Sequence, residues 1–187
     1  MSASSDARQA STVRPVTVVD ERAFLDFIAQ VPAGERRFLK EDLSDPVETF
    51  AGFVRDGAPV RLVAVTSTGE LAGLAGVFPG EGWSAHVAEL RVLVAGAQRG
   101  RGTGRALARA ALREALEIGC SQVFVEVISE QEALVAMFQD LGFLPEALLP
   151  DFVRDGDGIF HDLMLLTHRV ADHTGALRLL GLDEIAS

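Results

Sequence analysis

The segment RGRGTG at residues 99–104 constrains the fold more than any other part of this sequence. A run of strand-forming residues, HVAELRVLVA (86–95), precedes it, and an amphipathic helical pattern over roughly 102–118 follows it. Glycines that alternate with other residues let the backbone turn sharply and approach a ligand with no Cβ in the way. The pattern therefore predicts a strand, a tight loop and a helix in direct succession.

The start of this helix has the chemistry of an anion site. The first amides of a helix have no partners within it, and the helix dipole adds a partial positive charge there. Arg99, Arg101 and Arg105 crowd the same position, where cations without a counterion oppose the dipole. A bound anion, most often a phosphate, removes that conflict. The alternative interpretation is a tight turn with solvated arginines.

Two common phosphate-binding motifs do not fit this loop. A Walker A motif ends in Gly-Lys-Ser/Thr, and no lysine follows here. A dinucleotide fingerprint requires G-x-G-x-x-G, and its last glycine falls on Arg105 or Leu107 in the two registers. The loop fits the pattern R-x-x-G-x-G instead.

This pattern resembles the signature loop of the GNAT superfamily of N-acetyltransferases. The longer stretch LRVLVAGAQRGRGTGRAL (90–107) is similar to the strand–loop–helix motif of that superfamily. The stretch VISEQEALVAMFQDLGF (127–143) is similar to its next strand end and helix. The resemblance extends over about residues 13–168 and implies acetyl-CoA, or another acyl-CoA, as the acyl donor.

The resemblance also implies which residues bind the donor. The pyrophosphate would lie on the amides of residues 99–105, and the pantetheine arm would pair with the strand edge at 92–94. The spacing of apolar residues alone predicts that residues 92–94 belong to an ordinary core strand. Two helix positions, where the family frequently has Asn and Tyr, carry Gln and Phe here. The expected CoA-binding residues are Val92, Leu93, Val94, Arg99, Gly100, Arg101, Gly102, Thr103, Gly104, Arg105, Gln131 and Phe138.

Acyl transfer to an amine requires a neutral nitrogen, so a base has to accept a proton from the acceptor's ammonium group. Relatives often carry a glutamate on the strand before the loop. Glu89 lies there and shares a strand face with Leu93, so we expect it to act as the general base through water. Its alternative role is an ion pair with Arg91 or with an arginine of a neighbouring strand. Glu126, on the next strand, is the second candidate.

The chain contains no tyrosine, although the family often uses one to protonate the leaving thiolate. We therefore expect direct attack by the amine in a ternary complex without a side-chain acid, and an oxyanion site formed by main-chain amides of residues 92–94. His86 and His161 are further titratable residues on predicted strands. Cys120, the only cysteine, is expected to be a small buried residue.

Composition restricts the class of partner. The 187 residues carry a net charge of −10, which argues against a nucleic-acid binder. No apolar run is long enough for a membrane span, and no metal site is predicted. The N-terminal segment lacks the features of a signal peptide, so a cytoplasmic location is expected.

An acidic excess in the segments 35–45 and 150–158 favours a cationic acceptor. The acceptor's amine could belong to a small molecule, a protein lysine or a protein N-terminus, and the sequence is compatible with a homodimer. The sequence thus predicts an acyl-CoA-dependent N-acetyltransferase. The alternative is a catalytically degenerate acyl-CoA-binding or regulatory module, which the missing tyrosine favours.

The order of predicted elements, β, α, α, three β, α, β, α and two β, indicates the α/β class with a mixed sheet. The resemblance implies a central, mostly antiparallel twisted sheet of about seven strands with helices on both faces.

We expect a disordered tail over 1–12, an acyltransferase domain over 13–170 and an extension with a short helix over 171–187. The first strand is expected over 13–19, and the last two over 143–149 and 158–168. Asp20 and Ser129 are expected to cap the helices that follow them.

Overall fold

The computed structural model describes residues 11–32, 40–41, 43–55, 57, 59–155 and 157–169. Most of the predicted N-terminal tail, the predicted helix in the C-terminal extension and much of the acidic segment 35–45 lie outside these ranges. Within the described ranges, no helix has both the length and the apolar character that a membrane crossing requires.

The described residues form one seven-stranded sheet and four α-helices. The sheet has the order β1-β2-β3-β4-β5-β7-β6, and every neighbouring pair is antiparallel except β4 and β5. This arrangement confirms the predicted fold class. In chain order the elements are β1 (Thr12–Pro15), α1 (Glu21–Gln30), α2 (Pro46–Phe53), β2 (Arg61–Val65), β3 (Leu71–Pro79), β4 (Val87–Val94), α3 (Thr103–Glu117), β5 (Gln122–Ile128), α4 (Glu132–Asp140), β6 (Leu144–Arg154) and β7 (Phe160–Arg169).

Helices cover both faces of the sheet. The first face carries α3 and α4, whose buried side chains include Leu107, Leu112 and Phe138. The second face carries α1 and α2, which contribute five buried phenylalanine and isoleucine side chains to a separate cluster: Phe24, Phe27, Ile28, Phe50 and Phe53. Side chains alternate between these faces along each strand, so β4 presents Leu90 to the first face and Leu93 to the second.

Two predicted helix caps are wrong. The first strand ends at Pro15 rather than at residue 19, and Asp20 closes a 3-10 turn. The Asp20 carboxylate does not cap α1 but accepts hydrogen bonds from Arg14 and from the amide of Thr17. The amide of Ser129 donates to the carbonyl of Asp162, which keeps Ser129 with the sheet, so Gln131 is the residue at the start of α4.

The last hairpin also differs from the prediction, because β6 continues to Arg154 instead of ending at residue 149. Two irregularities in the pairing of β6 with β7 let the strand pass Pro150, and Asp151 adopts a φ of 55° there. The turn itself is confined to residues 155–159. Asp155 organises it by accepting hydrogen bonds from the amides of Asp157 and Ile159.

Glycine at position 73 allows α3 to lie close to the sheet. A Cβ at Gly73 would be 2.7 Å from the carbonyl oxygen of Leu93 and 2.8 Å from Cδ1 of Leu107. The first contact is to backbone of β4 and the second to the buried face of α3. Gly73 therefore fixes the distance between this helix and the strand that leads into the glycine loop.

We expect Gly73→Ala to lower the free energy of unfolding by about 1–3 kcal/mol, because the added methyl overpacks a rigid contact. Gly52→Ala is the matched control, since a Cβ there meets nothing within 4 Å and the position is helical. That control should raise stability by about 0.5–1 kcal/mol. Chemical denaturation of both variants measures the difference, and equal stabilities would contradict this account of the packing.

Candidate functional site

The parallel strands β4 and β5 pair over a short length and then separate. Their register covers only Val87–Glu89 against Gln122–Phe124. Beyond Glu89, β4 pairs with β3 alone, and beyond Phe124, β5 pairs with β7 alone. The expected pantetheine-binding residues 92–94 therefore have a strand edge that faces β5 without pairing with it. A free edge of this kind can accept an extended ligand through main-chain hydrogen bonds.

The loop after β4 has the conformation that its glycines predict. Gly100 and Gly102 adopt left-handed φ angles of 70° and 88°, which L side chains rarely adopt. Gly102 occupies the position before α3, and no side chain caps that helix. The first hydrogen bond of α3 runs from the amide of Ala106 to Gly102, so the amides of Thr103, Gly104 and Arg105 have no helical acceptor.

The three arginines of the loop have different surroundings. Arg99 donates a hydrogen bond from Nε to the carbonyl of Val94, at the end of β4. Arg105 forms an ion pair with Asp140 of α4. Arg101 is exposed and forms no ion pair with any residue in the described ranges. The loop therefore presents positive charge beside the uncapped helix start, as an anion site requires.

Two carboxylates meet on the second face of the sheet, where β4 and β5 begin to separate. Glu89 and Glu126 converge on one ammonium group, that of Lys40. Lys40 Nζ lies 2.6 Å from Glu89 Oε1 and 2.5 Å from Glu126 Oε2. The structure thus brings together both glutamates that the sequence singled out as candidate bases, and it shows them holding a primary ammonium.

Glu89 also forms an ion pair with Arg91, which the sequence suggested as the alternative to a role as general base. Arg91 donates from Nε to Oε1 at 2.9 Å and from Nη2 to Oε2 at 2.7 Å. Burial raises the pKa of the Glu89 carboxyl, but hydrogen bonds from Arg91 and Lys40 outweigh burial and hold that pKa below its usual value. The lowered pKa makes the Glu89 carboxylate a weaker base, so it is less suited to accept a proton.

A second charge cluster continues from this pair across the sheet face. Glu41 lies 3.0 Å from Arg61 and 3.8 Å from Arg91, and both guanidinium groups stack on the ring of Phe78. Glu41 and Arg61 in turn line an open cleft of about 400 Å³ against α2. Three carboxylates border this cleft: Glu41, Asp45 and Glu48. Arg55 also lines the cleft and pairs with Glu48, as Arg61 pairs with Glu41, so arginines balance much of the acidic charge expected here.

The remaining expected ligand residues differ in accessibility. The helix start at Gln131 is exposed. The Phe138 side chain, in contrast, is only 3% exposed and packs edge-on against Phe143 in the core. The side chain therefore offers almost no surface to a ligand here, and its contact with CoA stays a prediction. A hydrophobic core position needs no hydroxyl, which is a structural reason for Phe where the family often has Tyr.

The other titratable candidates form no hydrogen bond or ion pair with Glu89 or Glu126 among the described residues. His86 is exposed just before β4, and its carbonyl accepts hydrogen bonds from the amides of Ser121 and Gln122. His161 binds Asp155 in the last hairpin, and this hydrogen bond raises its pKa. Cys120 is buried, and burial raises the pKa of its thiol, which disfavours the nucleophilic thiolate.

Lys40 is the functional residue that the sequence reasoning missed. It lies in the segment 35–45, whose acidic excess alone was used to predict a cationic acceptor. A signal for it was nevertheless present: Lys40 is the only lysine among the 17 lysine and arginine residues of the chain. Its two partners are 49 and 86 residues away in the sequence, so only the fold brings the three groups together.

Comparison with known proteins identifies the family and the fold. The model of the acetyltransferase (GNAT) family matches residues 26–143, which confirms the resemblance that the loop indicated. No sequence among the curated proteins matches the chain.

Many solved structures share the fold. The ribosomal-protein-alanine N-acetyltransferase of Brucella melitensis is 24% identical, with a TM-score of 0.69 over 84% of this chain and 99% of that chain. The yncA protein of Salmonella typhimurium, solved with its cofactor acetyl-CoA, is 20% identical, with a TM-score of 0.70 over 86% and 94%. The spermidine/spermine N-acetyltransferase of Vibrio cholerae is 19% identical, with a TM-score of 0.69 over 89% and 96%.

We expect Arg91→Gln to raise the pKa of Glu89, because burial then acts against fewer charge-assisted hydrogen bonds. In the unsubstituted chain, the lowered pKa of Glu89 stabilises the folded state at pH values above the pKa that this carboxyl has in the unfolded chain. That stabilisation is lost as the pH falls through the pKa of Glu89 in the folded state. Carboxyl titration by NMR measures the change. Arg22→Gln, which removes an exposed partner of Asp26, is the control and should leave Glu89 unchanged. An unaltered Glu89 titration in Arg91→Gln would contradict the assigned cause.

Proposed function

The chain belongs to the acetyltransferase (GNAT) family, and on that basis we propose that it transfers an acetyl group from acetyl-CoA to a primary amine. The single observation that carries the proposal is the primary ammonium of Lys40 between the carboxylates of Glu89 and Glu126. It lies where β4 and β5 separate, beside the strand edge that the acyl donor would use. The proposed amine site would therefore lie beside the acyl end of the proposed donor site.

The donor site would consist of the loop and the free edge of β4. The amides at the start of α3, together with Arg99 and Arg101, fit the pyrophosphate by charge and by hydrogen-bonding capacity. The edge at residues 92–94 fits the amide groups of the pantetheine arm, and its main-chain amides are also the candidate oxyanion site. Acetyl-CoA supplies the activated acyl group at this place.

In the acceptor site, the substrate's ammonium would take the place of the Lys40 ammonium. The two carboxylates would orient it, and one of them would accept the proton that the nitrogen loses before it attacks. The sequence favours Glu89 as this base, whereas the geometry favours Glu126. Glu89 is already neutralised by Arg91, but Glu126 has no arginine partner within the described ranges. We therefore assign proton transfer to Glu126 and positioning of the ammonium to Glu89.

The same arrangement indicates the class of acceptor. The carboxylates of Glu89 and Glu126 favour an amine on a cationic molecule, because both already hold a primary ammonium. We favour a small-molecule amine, because the structures that share the fold include a spermidine/spermine N-acetyltransferase. A protein lysine or N-terminus stays a second acceptor class. A cytoplasmic location and assembly into a homodimer also stay predictions.

The donor site is tested by Gly102→Asp with Gly102→Asn as its matched control. Both side chains tolerate left-handed φ better than other residues do, and they have nearly the same shape, so they differ mainly in charge. We expect the carboxylate to weaken acetyl-CoA binding at least ~10-fold more than the amide, since like charges repel at this helix start. Calorimetry measures both affinities. Equal affinities would remove the loop from the donor site.

The acceptor site is tested by Glu126→Gln, measured as thiol release from acetyl-CoA across a panel of primary amines. We expect kcat to fall by ~10²–10⁴, the usual contribution of a general base, with little change in acetyl-CoA affinity. Glu89→Gln should mainly raise the KM of the amine, because Glu89 positions the ammonium. The exposed Glu117→Gln is the control and should retain the unchanged rates.

Three outcomes separate the alternatives. Full rates in Glu126→Gln with a loss in Glu89→Gln would return the role of base to Glu89. Full rates in both variants would place the base elsewhere. Tight binding of acetyl-CoA without thiol release on any amine would instead favour the acyl-CoA-binding module and contradict the proposed activity.

A further inference from the structure

Lysine occurs once in this chain, at position 40, while the other basic side chains among the 17 lysine and arginine residues are all arginines. Arginine would satisfy two carboxylates at least as well, because its guanidinium has more donors. What distinguishes lysine chemically is that its nitrogen can lose a proton and act as a nucleophile, which arginine does not do in proteins. The one nucleophilic amine side chain thus lies in the proposed amine site.

The backbone holds Lys40 in that place at a cost in conformational energy. Lys40 has a φ of 55°, a left-handed conformation that is unfavourable for a residue other than glycine. Such conformations persist where surrounding contacts determine them. The contacts here are the two short hydrogen bonds from Nζ to Glu89 and Glu126, together with the ion pairs of the adjacent Glu41 to Arg61 and Arg91.

We propose that Lys40 is an acetylation site of this chain, modified in cis by its own acyl transfer. This inference rests on the proposed function, since it places the chain's own amine in the position of the acceptor. The structure supplies the reason: Nζ of Lys40 has the same chemistry as the proposed substrate and contacts both carboxylates assigned to bind and deprotonate it.

The reaction balances with acetyl-CoA as the only co-reactant. Glu126 accepts one proton from the ammonium, and the neutral nitrogen attacks the thioester carbonyl. A C–N bond forms, the C–S bond breaks and CoA leaves as the thiolate. The thiolate takes up one proton, and the second proton lost from nitrogen passes to solvent. The products are acetylated Lys40, CoA and one released proton.

Acetylation would alter the site that it uses. The acetylated side chain is neutral, so it no longer pairs with Glu89 and Glu126, and two carboxylates are left without the ammonium between them. Their mutual repulsion favours binding of a new cation. Self-acetylation therefore converts a site occupied by the chain's own ammonium into one that is open to an external amine.

The full chain, incubated with acetyl-CoA and no added amine, tests the inference. Intact-mass measurement and peptide mapping should find one acetyl group per chain, located at Lys40. The first-order rate constant should stay the same when the protein is diluted, because the reaction is intramolecular. Acetylation of an added amine should start with a lag that preincubation with acetyl-CoA removes.

Arg22→Lys provides an internal reference in the same chain. Position 22 is in α1 with an exposed side chain, so a lysine there reports the rate of uncatalysed acetylation. We expect Lys40 to react at least ~10²-fold faster than this reference, and Glu126→Gln to remove a similar factor at Lys40 alone. Lys40→Arg keeps a cation between the carboxylates but should take up no acetyl group at this position. Preincubation of this variant with acetyl-CoA should therefore not speed up its acetylation of an added amine.

Equal reaction rates at positions 22 and 40, or a rate constant proportional to protein concentration, would overturn self-acetylation in cis. So would an unmodified Lys40 in a chain that acetylates added amines, an outcome that leaves the proposed function in place. If the chain binds acetyl-CoA but acetylates neither Lys40 nor any amine, the proposed function and this inference both fail.

Discussion

The early separation of β4 and β5 is the constraint on which the rest of the site depends. Parallel strands normally continue to pair along their common length, but here the pairing stops after Glu89 and Phe124. The separation leaves the edge of β4 without a partner strand over 92–94, beside the loop that leads into α3. It also opens room on the second face of the sheet for the side chains of Glu89 and Glu126.

Charge is divided along β4 in a way that suits two different substrates. The loop and the start of α3, at the end of the strand, present arginines and free amides. Glu89 lies five residues before Val94, the last residue of β4, which is about 17 Å at the rise of an extended strand. An anionic donor and a cationic acceptor would thus be attracted to opposite ends of one strand, with the strand edge between them.

Particular residues show which features of the structure could be predicted from the sequence. The order and type of the elements were predictable, because strand and helix periodicities are strong in segments such as β5 and α3. The ends of elements were not, because the Asp20 carboxylate bonds Arg14 and Thr17 rather than the amides of α1. Ser129 likewise stays with the sheet, since its amide bonds the carbonyl of Asp162. Phe138 was placed near the donor by its position in a motif, yet its ring lies in the core against Phe143.

The sequence by itself determined the glycine loop, the arginines around it, the absence of tyrosine and the two glutamates on neighbouring strands. These are local patterns, and local patterns specify backbone conformation and the chemistry that each segment can offer. The pair of Glu89 with Arg91, two residues away on the same strand face, was already one of the roles that the sequence suggested. Only the tertiary structure decided that Lys40 reaches both glutamates. These contacts join residues up to 86 positions apart, so they exist only because the sheet and the connector fold onto one another.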